Sequence, residues 1–477
     1  MLRLANSGGE RRLLGPLRRV ERGVRDQVDA RVKPVVRWGV GQALPRAAMR
    51  GAARKGDLQG RLIGASPGVH TEELHGLFEE VRAAGPVHKG GFSYVTVSHQ
   101  HVREVLSSND FRTGILEGRG VIGRLGAWSA TDVFNPVQPP SLLATEPPDH
   151  TRYRKLVTRV FSARAVAGLR SRTEQIATEL LDDLDARDGR AGEGPVDLIT
   201  SYCGLLPVTV ISEILGVPTE LREWMLERGA AAGASLDLGL GWRRFREVET
   251  ALAEFDTWLT GHLKRLRAQP GDDLLSQLVA VSEDGRGLND QELRATAGLV
   301  FAAGFETTVN LLGNGIALLC DHPDQLALLR ARPELWPNAV DEILRLDPPV
   351  LLTGRVAARD TEVAGVRIGE GAVVTTVLAA ANLDPDVFAD PHTFDVTREN
   401  AREHISFSAG RHYCLGAQLA RMEGEVGLRA VFDRYADLRL LPGRVRRPTR
   451  ILRGYEHLPA VLGDGESVDD RVGPIGA

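Results

Sequence analysis

Phe407-Ser408-Ala409-Gly410-Arg411-His412-Tyr413-Cys414-Leu415-Gly416 sets a cysteine between two glycines, immediately ahead of a helical pattern that begins near Ala417. Glycine permits positive φ and close backbone approach. A tight loop can therefore lay main-chain N–H groups around the sulfur, and the N-terminus of the following helix favours negative charge. Both effects favour a thiolate, the form of cysteine that binds metal. A buried free cysteine in a Gly-rich turn is the plainer alternative for any isolated Cys.

Working outward, the longest helical pattern runs from Asn289 to Cys320 and is apolar on most faces from Ala295 onward. Such a helix is buried through the centre of a large domain. Within it, Ala303-Gly304-Phe305-Glu306-Thr307-Thr308 brings a glycine, a carboxylate and two hydroxyls together. Thr307 follows Ala303 by four residues, so its hydroxyl can back-bond to the Ala303 carbonyl, bend the helix and make room for a small ligand. An ordinary glycine beside solvent-facing Glu and Thr is the alternative, which an otherwise apolar helix disfavours. Two charge pairs stand out elsewhere: His150 and Arg154 at i, i+4, and Glu342 and Arg345 at i, i+3. Pairs at these spacings share a helix face.

The cysteine loop resembles the heme-binding signature of the cytochrome P-450 family, Phe-Gly-x-Gly-x-His/Arg-x-Cys-x-Gly, with Ser408 standing for the first glycine. The central run resembles the family's Ala/Gly-Gly-x-Asp/Glu-Thr-Thr motif, and Glu342-Ile-Leu-Arg345 its Glu-x-x-Arg element. The resemblance extends from roughly Leu77 to Leu462. It implies a mainly α fold with a small β region and a bound heme b (iron protoporphyrin IX) between the central helix and the Cys414 loop. Cys414 becomes the metal ligand, and Phe407, Gly416, Ala303 and Gly304 contact the cofactor. His150, Arg154, Arg355 and His412 become propionate partners. Glu306 and Thr307 map onto the acid–alcohol pair of oxygen activation. Glu342 and Arg345 form a buried structural pair, for which His392 and Arg398 are candidate third members. Phe301 and Ala302, with Val350, Leu351 and Leu352, are candidates for an apolar substrate pocket, and Gly229 to Gly241 for a mobile entrance. The implied activity is a monooxygenase inserting one atom of O2 into an apolar organic substrate. Neither a Rossmann-type glycine fingerprint nor a flavin motif is evident, so electrons from NAD(P)H are expected through a ferredoxin and its reductase. A peroxide-driven peroxygenase and a non-catalytic heme-binding sensor are the competing readings.

The remaining sequence is consistent with one large domain. Further helices are predicted at about Thr151 to Ala163, Arg164 to Ala186, Pro207 to Leu215, Trp242 to Ala268, Pro323 to Ala331, Glu334 to Leu346 and Gly416 to Tyr435. β-rich runs fall at Phe92 to Ser98, Thr361 to Ala381 and Asp437 to Leu462. No linker or repeat divides residues 61–465, and 466–477 read as a tail. Three scattered cysteines, Cys203, Cys320 and Cys414, suit a reducing cytoplasm, and nothing suggests a nucleic-acid partner. The first 60 residues hold 14 Lys/Arg against 5 Asp/Glu, leaving 45 against 58 for the rest. Leu14, Leu17, Val20, Val24, Val28, Val32, Val35 and Val36 recur there at helical spacing. This basic amphipathic extension is expected to pack on the body in preference to an anionic membrane surface, the other partner its composition fits.

Overall fold

The computed structural model describes residues 31–65, 71–114, 120–161, 163–188, 194–271, 273–283 and 286–463. Most of the basic amphipathic stretch, through Val28, and the tail lie outside these residues. Helices dominate. In chain order they are α1 (residues 31–38), running through a π-turn at Gly39–Ala43 into α2 (Leu44–Arg54), then α3 (Leu58–Ala65), α4 (Thr71–Ala83), α5 (His99–Ser107) and α6 (Gly120–Ser129). The middle of the chain forms α7 (Asp149–Val160), α8 (Ala163–Asp188), α9 (Leu205–Ile214), α10 (Arg222–Ala234), α11 (Trp242–Ala268) and α12 (Leu274–Ala280). It continues with α13 (Asp290–Asp321), α14 (Pro323–Ala331), α15 (Trp336–Leu346), α16 (Leu378–Ala381) and α17 (Ala417–Arg434).

The strands are short. They are β1 (His88–Lys89), β2 (Tyr94–Thr96), β3 (Phe111–Arg112), β4 (Val196–Asp197), β5 (Ser282–Glu283), β6 (Arg286–Gly287) and β7 (Thr353–Ala357), followed by β8 (Thr361–Val363), β9 (Val366–Ile368), β10 (Val373–Thr376), β11 (Arg439–Leu440), β12 (Val445–Arg446), β13 (Tyr455–His457) and β14 (Pro459–Val461). One five-stranded sheet has the order β1-β2-β10-β7-β3, with β2 and β10 parallel and the other pairs antiparallel. Arg355 sits opposite Val374 in its β7–β10 pair, which fixes the strand arginine in the interior.

The central helix α13 is started by a reciprocal cap: Asn289 accepts from the Glu292 N–H while Glu292 accepts from the Asn289 N–H. It passes through the main core and runs unbroken across Gly304. It is also the one helix among the described residues long and apolar enough to cross a membrane, and 72% of its apolar window is buried in the protein. Its bounds and those of α11 and α14 agree with the periodicity to within a residue.

The Gly229 to Gly241 stretch differs from expectation. Its first half is helical, and Gly229 and Ala231 to Ala234 of α10 are buried. A Cβ on Gly229 would lie 2.4 Å from Phe305, and one on Gly233 would lie 2.5 Å from Cγ of Glu306. Small residues here allow two helices to cross closely, so this half is a packed surface and not a loose entrance.

Candidate functional site

The cysteine loop is shaped by its own backbone. Ser408 has φ of 64° and Gly410 of 69°, both left-handed. Gly410 admits no side chain, because a Cβ would meet the Leu106 carbonyl oxygen at 2.6 Å. The Cys414 N–H donates to the Phe407 carbonyl at 2.9 Å, closing the loop before α17 starts. Cys414 is accessible to solvent although it sits within dense protein, as a residue lining an internal chamber does. Burial raises its thiol pKa, and the Gly416 N–H with the charges of Arg154 and Arg421 pulls the other way. Burial outweighs them, so these donors lessen the cost of a negative sulfur without by themselves making the thiolate the favoured form.

Two ion networks on α15 brace this loop. Glu342 and Arg345 are fully buried and pair at 2.7 Å. Arg398 supplies the third member, with its Nε 3.1 Å from Glu342. His392 does not, because its ring turns to His75 at 3.2 Å. Arg345 also donates to the carbonyls of Asn382, Pro391 and Thr393, templating the chain that leads to the loop. One residue earlier on the helix, Asp341 accepts from His404, Arg402 and Arg421. Arg421 reaches from α17 and lies 4.6 Å over the Phe407 ring. Burial alone would raise the Asp341 pKa, but hydrogen bonds from His404 and Arg421 outweigh it and bring the group to about 2.

Three of the four basic residues singled out in the sequence, His150, Arg355 and His412, gather around Glu146, a carboxylate sequence reasoning missed, while Arg154 lies toward Cys414. Glu146 accepts from Thr113, Arg411 and His412. Burial opposes ionisation, yet these donors hold its carboxyl well below the usual range. The His150 ring lies tilted against that of His412 with centroids 4.3 Å apart, its Nε2 is buried without a partner, and burial pushes its pKa down to about 4. Arg355 is 5% exposed and donates only to Thr353 and the Gly354 carbonyl, and burial lowers its pKa to about 10. Arg154 is likewise lowered by burial, an effect that the nearby Cys414 and Tyr413 partly offset. Among the described residues neither Arg154 nor Arg355 has a carboxylate partner. Two desolvated guanidiniums and an orphaned imidazole nitrogen beside an accessible cysteine fit an anionic, metal-bearing ligand with more than one carboxylate. A heme with two propionates has that chemistry. His412 alone of the four is already paired, through Glu146.

On α13, residues 299, 300, 303, 304 and 307 are partly accessible while almost all their neighbours are buried. At about 100° per residue these positions share one stripe, so one face of a core helix is left partly accessible. Ala303, Gly304 and Thr307 lie on it, and the Thr307 hydroxyl donates to the Ala303 carbonyl at 2.7 Å. Phe301 and Ala302 do not. Both are fully buried, and Phe301 stacks 4.6 Å from Phe255 of α11, whereas Leu299 and Val300 are the partly accessible apolar positions. Leu351 and Leu352 are buried too, leaving Val350 as the partly accessible member of its trio.

Glu306 is buried at the edge of the stripe, against Gly233 of α10. Its Oε1 lies 2.5 Å from Arg447, beside the β12–β13 hairpin, and its Oε2 is buried without a partner. Burial raises its pKa against the charges of Arg447 and Arg244. Arg447 carries no local sequence signal; only the tertiary fold brings it to Glu306.

The family model for cytochrome P-450 matches residues 235–332 and 329–450. The cytochrome P-450 140 of Mycobacterium tuberculosis is 52% identical over 421 residues, covering 87% of this chain and 94% of that protein. The 6-deoxyerythronolide B hydroxylase of Saccharopolyspora erythraea is 42% identical over 322 residues, covering 67% of this chain and 77% of its own. Among solved structures, the epothilone D-bound cytochrome P-450epoK is similar with a TM-score of 0.74 at 29% identity, over 84% of this chain and 98% of the other.

Proposed function

We infer the reaction from one premise: this chain belongs to the cytochrome P-450 family. It is a monooxygenase of that family. The reaction we propose inserts one oxygen atom of O2 into an apolar organic substrate in the cytoplasm. Electrons come from NAD(P)H through a ferredoxin and its reductase. When bound, heme b supplies the iron at which dioxygen is activated, and a cysteine ligand donates the electron density that favours O–O cleavage.

This chain's residues take the following parts. Cys414 ligates through Sγ, and the Gly416 N–H with Arg154 and Arg421 stabilises the negative sulfur. Arg154, Arg355 and His150 bind the propionates, exchanging the cost of unpaired burial for charge-assisted hydrogen bonds. His412, oriented by Glu146, closes that edge. Thr307 spends its proton on the Ala303 carbonyl, so its oxygen lone pairs are left to accept a proton donor on the stripe. Glu306 exchanges protons with solvent along the Arg447 side chain and passes them toward Thr307.

The single observation that carries this reading is the accessible stripe at Ala303, Gly304 and Thr307 on a core helix, in a protein whose only solvent-accessible loop thiol is the equally enclosed Cys414 among its described cysteines. Leu299, Val300 and Val350 give the space an apolar wall. Relatives named for a substrate act on 6-deoxyerythronolide B and vitamin D(3), and another is bound to epothilone D. We take the substrate to be of that bulky, mostly apolar kind. The absorption spectrum of the reduced, carbon monoxide-treated protein tests the ligation. A strongly red-shifted Soret band that Cys414→Ser abolishes is expected, and a band unchanged by that substitution would remove Cys414 from the metal. Turnover with peroxide alone, and none with reductant and O2, would replace the monooxygenase reaction by a peroxygenase one.

A further inference from the structure

Of the twelve exposed large hydrophobic side chains among the described residues, six cluster on two neighbouring helices: Val32 and Val35 on α1, and Val121, Ile122, Leu125 and Trp128 on α6. The four on α6 fall within an arc of about 120° at a rotation of roughly 100° per residue. Val121 is 64% and Trp128 43% exposed, so this apolar stripe faces outward. The two helices lie side by side, because Lys33 reaches over the Trp128 ring at 5.5 Å and Arg37 donates to the Ser129 carbonyl. An amphipathic helix ordinarily turns its apolar stripe inward, and a contiguous exposed patch of this kind marks a contact surface.

Charge decides what the contact is. Arg31, Lys33 and Arg124 stand among the six apolar residues, and residues 1–37 carry ten Lys/Arg against four Asp/Glu. The apolar series Val24, Val28, Val32, Val35 continues the α1 stripe back into the basic segment at helical spacing. A second copy of the same face would bring like charges together. An anionic bilayer accepts both features at once, the apolar side chains entering the boundary between headgroup and acyl chain and the cations lying against lipid phosphates.

We propose that the α1–α6 face is a peripheral docking surface for anionic phospholipid bilayers. The other face of the N-terminal helices is committed to the body, with Met49 buried and Trp38 donating to the Leu240 carbonyl at 2.9 Å, so the patch is presented in a fixed orientation. This inference does not depend on the reaction assigned above.

The test is co-sedimentation of the full-length heme-loaded protein with vesicles of phosphatidylcholine alone and of phosphatidylcholine mixed with phosphatidylglycerol. Binding to the mixed vesicles is expected, weakened by salt as surface charge is screened. The quadruple variant Val121→Ser, Ile122→Ser, Leu125→Ser, Trp128→Ser should bind at least about tenfold more weakly with an unchanged heme spectrum. In the otherwise intact protein, brominated lipid should quench tryptophan emission, and Trp128→Phe should bind normally while losing that quenching. Absence of binding to the mixed vesicles at low salt would overturn the proposal, as would wild-type affinity in the quadruple variant. Self-association abolished by the same four substitutions, without vesicle binding, would reassign the face to a second copy. If the quadruple variant loses its heme spectrum, the quenching result with Trp128→Phe decides alone.

Discussion

The support of the cysteine loop and the lining of the central helix are built on opposite terms. Behind the loop, Glu342 contacts two arginines, Asp341 contacts two arginines and a histidine, and Arg345 spends its remaining donors on three carbonyls. On α13 the polar groups are under-supplied. Glu306 has one ion-pair partner and an idle oxygen, while the side-chain oxygen of Thr296 and both polar atoms of Asn310 are buried without partners. A network with every charge matched holds one geometry, whereas an unmatched carboxylate retains free energy for exchanging protons. Position is fixed on one side, and on the other the proposed proton relay has polar atoms left unpaired. Ser408 and Glu423, each with an orphaned oxygen, are the exceptions on the cysteine side.

Substitutions on each side should therefore fail differently. Glu342→Ala leaves Arg345 as an unpaired buried cation, and we expect about 3–5 kcal/mol lower stability with heme lost at lower denaturant concentration. A variant that unfolds like the wild type would show that the network is ornamental. Thr307→Ala should instead fold and bind heme normally, while turnover to product falls by roughly 10²-fold and peroxide is released, as expected when a hydroxyl that positions a proton donor is removed. Full coupling of electrons to product would exclude Thr307 from proton delivery.

Asp341 separates the two sides by pH. Its folded pKa of about 2 lies below its usual value, so its contribution is present above that usual value and is lost as pH falls toward 2. This amounts to about 2 kcal/mol that Asp341→Asn should lack at neutral pH, the difference closing in acid unfolding curves below about pH 4. On the other side, Arg447 lowers the Glu306 pKa against burial. Arg447→Ala should raise that pKa, and the acid limb of the turnover profile should move up with it. An unmoved limb would disconnect the pair from proton supply. Least of all, Ser408→Gly should stabilise the loop by about 1 kcal/mol in thermal unfolding, since a left-handed φ costs a residue with a Cβ but not glycine.

What could be read from the sequence divides along the same line. Helix ends at Trp242 and Pro323 were legible because a glycine or a proline marks them, and the loop around Cys414 because its glycines have local causes. Glu342 and Arg345 were legible as an i, i+3 pair. That Arg398 and not His392 completes them was not, because the contact spans 56 residues and depends on how the intervening chain turns. Glycines at 229 and 233 resembled loop residues although they serve helix packing. Phe301 and Ala302 were placed in the pocket from motif proximity. A helical rotation of one or two positions carries them off the stripe, and nothing in an all-apolar helix reveals which face is open.

The close seat of Gly233 against Glu306 has a consequence for variation. Any residue larger than glycine there must displace the Glu306 stem or separate the helices, so the floor beneath the carboxylate is closed to side-chain diversity. Variants that take new substrates can change Leu299, Val300 or Val350, which are partly accessible, while leaving Gly233 and the Glu306 seat untouched. Under the proposed roles, Thr307 shares its stripe with Leu299 and Val300, so substrate fit and proton delivery meet on one face of α13, while the Glu306 seat is held separately by α10.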